Sequence, residues 1–187
     1  MGALRSFFVY GRSAPFFASR GRKNMNKKVR FLTYGAVLAA LYVTLTHLQN
    51  FIFPNSATMA IQFRISEALC VLAFFTPAAI PGLSLGCLLF NMTSLGALPL
   101  DFAVGTAATA LSTWLMWKTR KITIQGFPLL GLLMPALFNA ILVGWELSVY
   151  IGDTFFINAL FVAIGEAVVL LLPGTILYFA IRKRNLL

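Results

Sequence analysis

The sequence predicts an all-α, polytopic membrane protein: a six-transmembrane-helix bundle with N- and C-termini cytoplasmic. Three observations lead there. Of 187 residues, 59% are hydrophobic and only 11% charged, and the mean hydropathy is +0.85, whereas a soluble domain carries about 25% charged residues. The apolar residues arrive in long stretches, and the basic residues sit in short runs between those stretches. A water-soluble globule has nowhere to bury such a surplus, and disordered chains are polar and charge-rich.

A bilayer-crossing helix needs about 20 mostly apolar residues. Six stretches qualify as candidates: 31–53, 63–76, 81–91, 100–117, 127–145 and 155–181. The second and third are short and separated only by the run from Pro77 to Gly82. Proline suits a first helical turn, where its missing N–H would be unpaired anyway, so Pro81 is read as starting the third helix. One long helix kinked at the prolines would instead give five spans. Charge arbitrates between them. Lys27, Lys28 and Arg30 precede the first span, Lys118, Arg120 and Lys121 follow the fourth, and Arg182, Lys183 and Arg184 follow the sixth. Six spans place all three clusters on the cytoplasmic side, as the positive-inside rule requires; five do not. The protein is therefore expected in the cell membrane, and residues 25–187 form the membrane domain.

Residues 1–24 hold five basic residues, no acidic one and scattered Phe. No uninterrupted apolar core with a cleavage site marks a secretory signal. An organellar transit peptide fits the composition; a dispensable basic tail, or a start at Met25, fits better. The net charge of +10 would point to nucleic acid in a soluble protein, but no basic face with aromatic stacking positions exists outside the apolar stretches. No nucleic-acid partner is expected.

Under this topology every carboxylate falls away from the cytoplasm. Glu67 lies four residues into the second span, Asp101 starts the fourth, Glu146 ends the fifth, Asp153 follows in the loop, and Glu166 is about twelve residues into the sixth. Fourteen of fifteen basic residues are cytoplasmic, Arg64 beside Glu67 being the exception. An ionisable group at the centre of a membrane helix costs about 2.5–3.5 kcal/mol on insertion scales and generally faces a protein interior or a wet cavity. The pattern implies an outward-opening pocket rich in acceptors, suited to a cationic or donor-rich small molecule. Ordinary interfacial placement, with Arg64 and Glu67 as an i,i+3 pair, is the plainer alternative; it fits Asp101 and Asp153 best and Glu166 least.

Polar amides share that half of the molecule. Gln49, Asn50, Asn55 and Gln62 flank the first outer loop, Asn91 ends the third span, Asn158 starts the sixth, and Asn139 lies within the fifth. Intramembrane amides commonly bond across helices. Trp145 could stack on a planar ligand or anchor the interface, and Trp114 and Trp117 read as a cytoplasmic aromatic belt. Cys70 and Cys87 sit in apolar segments and read as small buried hydrophobes; with the lone His47 they form no metal-ligand set. Small residues at helical spacing, Gly35, Ala36, Ala39 and Ala40 in the first span and Gly105, Ala107, Ala108 and Ala110 in the fourth, serve internal packing or a partner membrane protein. No phosphate-binding loop, dinucleotide fingerprint or nucleophile–base set is present. No cofactor is expected, and energy for transport would come from outside the chain.

The run Ile61-Gln-Phe-Arg64-Ile-Ser66-Glu67-Ala-Leu69 resembles the QueT family. The resemblance includes Phe75-Thr-Pro77-Ala-Ala-Ile-Pro81-Gly82, Leu85-Gly86-Cys87 and the run from Asp101 to Thr109. These proteins are substrate-binding (S) components of energy-coupling factor (ECF) transporters. The resemblance runs from about Met25 to the C-terminus. It implies six helices around a ligand site near the outer face, uptake of queuosine precursors (7-deazaguanine bases), and a partner module of a transmembrane coupling protein (T component) and two ABC ATPases. It also implies docking of that module on an Ala-x-x-x-Ala pattern, supplied here by Ala36 and Ala40. The substrate-binding residues expected are Arg64, Glu67, Asn91, Glu146, Asn158 and Glu166. Glu67 and Glu166 recognise the ligand, and Arg64 orients Glu67 or closes the mouth. An S component for another small base or vitamin, or a stand-alone proton-coupled transporter using Glu166 as relay, are the rival readings.

Overall fold

The computed structural model describes residues 26–54, 56, 63–152 and 154–184. The basic tail 1–24, Asn55, Gln62 and Asp153 lie outside them. Among the described residues the structure is helical, with one isolated bridge between Ile124 and Phe127. Helix α1 spans Lys27–Ile52; its first turn is capped by the Asn26 side chain, which accepts from the Lys28 N–H at 3.1 Å. A 3₁₀ segment, Ile65–Phe74, follows, then α2 (Ala79–Thr93), α3 (Asp101–Thr119), a single turn α4 (Leu129–Leu132) and α5 (Met134–Ile151). Finally α6 (Phe155–Val169) passes through a π turn (Leu170–Gly174) into α7 (Thr175–Arg184).

Three of these helices are long and apolar enough to cross a membrane: Lys27–Ile52, Leu129–Tyr150 and Phe155–Lys183. The 3₁₀ segment and α2 are apolar but shorter. A 3₁₀ helix rises about 2.0 Å per residue and an α-helix about 1.5 Å. Ten residues of one therefore reach about as far as fifteen of the other, roughly 20 Å against a hydrocarbon core of about 30 Å.

Several sequence expectations are corrected here. The second element is 3₁₀ rather than α. The third begins at Ala79, so Pro81 is in its first turn without starting it. The fifth breaks at Leu133 and then runs on to Ile151, which moves Glu146 from the helix end to more than a turn inside it. Gly152, at φ +81°, terminates α5 in the left-handed conformation that glycine adopts without strain. In the last helix Pro173 lies within the π turn, which accommodates the missing N–H without a break in the helix.

Neighbouring elements fix the running directions. Tyr42 meets Glu67 while Gln49 meets Ile65, so the 3₁₀ segment runs antiparallel to α1. Gly35 meets Gly82 and His47 meets Thr93, so α2 runs parallel to α1. Asn91 meets Asp101, turning α3 back; Gly144 packs on Ala159, turning α6 back against α5. One end of the bundle gathers Phe74, Phe75, Phe127, Tyr178 and Phe179 into an aromatic cluster, next to Arg182, which donates to the Gly126 carbonyl at 2.8 Å.

Polarity is inverted relative to a soluble protein. Leu32, Phe51, Phe156, Leu160 and Ile176 are exposed, whereas Arg64, Glu67, Asp101, Glu146 and Glu166 are buried. An apolar exterior of this extent needs a lipid solvent, and the interior is where an ionisable group in a membrane helix belongs.

Candidate functional site

Arg64, Glu67, Asn91, Asp101, Glu146 and Asn158 are buried in the half of the bundle opposite the aromatic cluster. Glu67 is fully buried, and internal donors occupy both of its oxygens. Tyr42 Oη donates to Oε1 at 2.5 Å, and Cys70 Sγ donates to Oε2 at 3.1 Å. Side chains three residues apart eclipse in a 3₁₀ helix, and the spacing 64, 67, 70 brings Arg64, Glu67 and Cys70 along one face. The Cys70 thiol is therefore a polar participant, which corrects its reading as a plain small hydrophobe.

Arg64 precedes the first 3₁₀ turn with an extended backbone (φ −93°, ψ 93°). Its guanidinium reaches Cys87 Sγ at 3.7 Å and lies 5.7 Å from the centre of the Phe90 ring. One turn further along α2, Asn91 Nδ2 donates to the Asp101 carbonyl at 2.7 Å. Close approach is possible because α3 presents Gly105 there: a Cβ on Gly105 would stand 2.9 Å from Asn91 Nδ2 and 3.5 Å from Cys87 Sγ. Asp101 is buried and its Oδ2 accepts from the Leu98 N–H at 2.6 Å, which fastens the turn into α3.

The far wall comes from α5 and α6. Gly144 lets these helices meet at van der Waals distance, since a Cβ there would be 2.8 Å from Ala159 Cα. Glu146 and Glu166 are fully buried, and Asn158 nearly so. Among the described residues, both oxygens of Glu146, both oxygens of Glu166, Asn158 Nδ2 and Asn91 Oδ1 have no hydrogen-bond partner. Asp101 approaches Glu146, and Asn139 approaches Glu166, without bonds of acceptable geometry. Arg64 is within electrostatic reach of both carboxylates, and Glu67 of Glu166. Four carboxylates (Glu67, Asp101, Glu146, Glu166) and one cation, Arg64, are buried among the described residues, and Glu67, Glu146 and Glu166 are within electrostatic reach of Arg64. Burying a polar group without a partner costs roughly 1–3 kcal/mol, more if charged. This chamber leaves acceptors open at Glu146, Glu166 and Asn91 and a donor open at Asn158.

All six residues expected to bind substrate are buried; Arg64, Asn91, Glu146 and Asn158 lie toward this end of the bundle, and Glu166 lies deeper, beside Asn139. Trp145 is not part of it; at 51% exposure it faces outward, which leaves anchoring rather than stacking. Trp114 and Trp117 pair with Lys118 and Arg120, at 5.6 and 3.6 Å from the ring centres, near the aromatic end. The small-residue strip of α1 divides. Gly35 and Ala39 pack on Gly82 and Gly86 of α2, while Ala36 and Ala40 are exposed. A cavity of about 360 Å³ opens beside His47, Asn50, Thr93 and Gly96, and the His47 ring meets Phe90 edge-on at 5.0 Å. Sequence reasoning missed Tyr42, Thr46 and the Cys70 contact. One hydroxyl or thiol in an apolar run carries no signal until its partner is known.

Neither the curated proteins nor the solved structures contain a match to this chain. Residues 32–183 match the QueT transporter family, an extent that covers most of the chain, from the second turn of α1 into α7; the chain belongs to the QueT transporter family.

Proposed function

We propose that this chain is the substrate-binding (S) component of an ECF transporter, capturing a 7-deazaguanine queuosine precursor outside the cell for ATP-driven uptake by partner subunits. Family membership makes it a transport protein of the multi-pass membrane type, not an enzyme. The ligand, the partners and the six-span arrangement are our reading.

The carrying observation is the pair of buried carboxylates, Glu146 and Glu166, whose four oxygens lack partners among the described residues. A guanine-like base offers several N–H donors along its Watson–Crick edge, and one carboxylate can accept two of them. An aminomethyl-bearing precursor adds a cation for the second carboxylate. Hydrogen bonds of this charge-assisted kind are about twice as strong as neutral ones. Asn158 Nδ2 and Asn91 Oδ1 supply a donor and an acceptor for the remaining ring edge, with Arg64 and Glu67 completing the wall. In this arrangement six passes cross the membrane, both termini are cytoplasmic, and the exposed Ala36 and Ala40 receive the T component, itself joined to two ABC ATPases.

Isothermal titration of the detergent-purified chain tests the reading. The ligands are 7-deazaguanine precursors and queuine against guanine, riboflavin and thiamine. Tight binding confined to the deazaguanines supports it. Tight binding of a vitamin replaces the substrate while keeping the S-component role. Silence across the panel, with folding confirmed, removes the ligand; uptake by the chain alone in liposomes under a pH gradient would then establish the proton-coupled alternative.

A further inference from the structure

Three polar side chains of α1, spaced by four and three residues, each engage consecutive parts of the chain around Arg64 and Glu67. Gln49 grips the backbone on both sides of Arg64: its Oε1 accepts from the Ile65 N–H at 2.8 Å and its Nε2 donates to the Phe63 carbonyl. The second Nε2 proton goes to Ser56 Oγ at 2.9 Å. One turn back, Thr46 Oγ1 and Ser66 Oγ share a bond of 2.7 Å. A further turn back, Tyr42 Oη donates to Glu67 Oε1. All three α1 residues are at most 5% exposed, and no side chain caps the 3₁₀ segment at its own N-terminus. An uncapped helix start leaves backbone N–H groups to be satisfied from elsewhere, and here α1 does so.

We propose that Tyr42, Thr46 and Gln49 are positioning residues that make α1 the reference frame of the ligand site: Gln49 sets where Arg64 enters the chamber, and Tyr42 sets the orientation of the Glu67 carboxylate. The inference rests on reading the chamber as the ligand site. It adds that α1 carries an exposed face, with Ala36 and Ala40, opposite the face that holds the site. A displacement of α1 therefore reaches Arg64 and Glu67 directly through side-chain bonds rather than through general packing.

Two native thiols report on the two ends of this ladder without any ligand. Cys87 lies against the Arg64 guanidinium, and Cys70 bonds to Glu67. The full chain in detergent is alkylated with N-ethylmaleimide, and the rate at each cysteine is read by mass spectrometry. Gln49→Ala releases the backbone on both sides of Arg64 and should accelerate Cys87 several-fold more than Cys70. Tyr42→Phe keeps the ring but leaves the Glu67 carboxylate unanchored, which loosens its contact with Cys70, and should raise reagent access at Cys70 several-fold more than at Cys87. Equal acceleration at both thiols in both variants means general loosening and overturns the proposal; unchanged rates do the same. If Tyr42→Phe does not fold, Gln49→Glu keeps the acceptor for Ile65 and loses the donor to Phe63, and must still favour Cys87.

Titration with 7-deazaguanine then gives a second test. Tyr42→Phe should weaken binding about three- to tenfold, because it removes the bond that orients Glu67 and no bond to the ligand itself. It should add nothing in a Glu67→Gln background, whereas independent structural damage would be additive. A wild-type chain silent to every base would overturn the proposed function, and the thiol pattern would still decide the positioning role.

Discussion

The buried carboxylates separate into two kinds, and neutral isosteres tell them apart by sign. Glu67 has both oxygens committed to Tyr42 and Cys70. Replacing it with Gln turns one acceptor into a donor facing a donor, so Glu67→Gln should lower stability by about 1–3 kcal/mol. Glu166 has neither oxygen bonded among the described residues. Removing a buried carboxylate without a partner relieves the apo protein, so Glu166→Gln should raise its unfolding midpoint while weakening ligand binding about tenfold or more, the worth of one charged hydrogen bond. Glu146→Gln should follow Glu166. Unfolding in detergent beside titration of the same variants checks this; a Glu166→Gln variant that loses stability would show the carboxylate to be structural. The residues of this chamber were legible in the sequence to the extent that they were costly. Arg64, Glu67, Glu146, Glu166 and the two asparagines stood out because apolar segments exclude such groups. Tyr42 and Thr46 did not, because a hydroxyl is tolerated anywhere in a span and its partner lies some twenty residues on.

At the scale of elements, the contact between α1 and α2 depends on two glycines whose requirements differ. A Cβ on Gly82 would stand 2.6 Å from the Gly35 carbonyl oxygen and 2.9 Å from its Cα, both backbone atoms that cannot turn aside. A Cβ on Gly35 would meet the Ala78 carbonyl at 3.6 Å, an ordinary contact. Gly82→Ala should therefore force the helices apart and cost about 1–3 kcal/mol. Gly35→Ala should be neutral or gain up to about 1 kcal/mol, because alanine is the better helix former. Unfolding midpoints of the two variants decide it, and equal losses would mean that the pairing is not set by this contact. The helical character of each element was readable from its apolar length. The 3₁₀ geometry of Ile65–Phe74 was not: where nearly every position is apolar and eight of the ten residues are buried, no polar face marks whether the period is 3.0 or 3.6. The extension of α5 past Trp145 was missed because Glu146 reads as a boundary when only hydropathy is followed, whereas the structure encloses it.

At the scale of the whole molecule, the bundle has two chemically different ends. Lys27, Arg30, Phe75 and Thr76 line one cleft, and Arg182 bonds to Gly126 in the turn between α3 and α4, so the flanking basic runs gather at the aromatic end. The chamber and the loop carrying Leu95 occupy the other. Positive charge stays on the cytoplasmic side, so the chamber should face outward and both termini inward. Single cysteines at Lys28, Leu95 and Lys183 test this in intact cells with a membrane-impermeant maleimide. All three positions are exposed, and the native Cys70 and Cys87 are fully buried and can remain in place. Leu95→Cys should label at once, while Lys28→Cys and Lys183→Cys should label only after permeabilisation. Labelling at Lys28 or Lys183, but not both, means an odd number of passes and restores the kinked five-span arrangement. Labelling at both ends but not at Leu95 inverts the protein and places the chamber on the cytoplasmic side, where it could not capture a ligand from outside. The arrangement thus stands on a charge asymmetry that three substitutions can reverse, independently of which ligand the chamber holds.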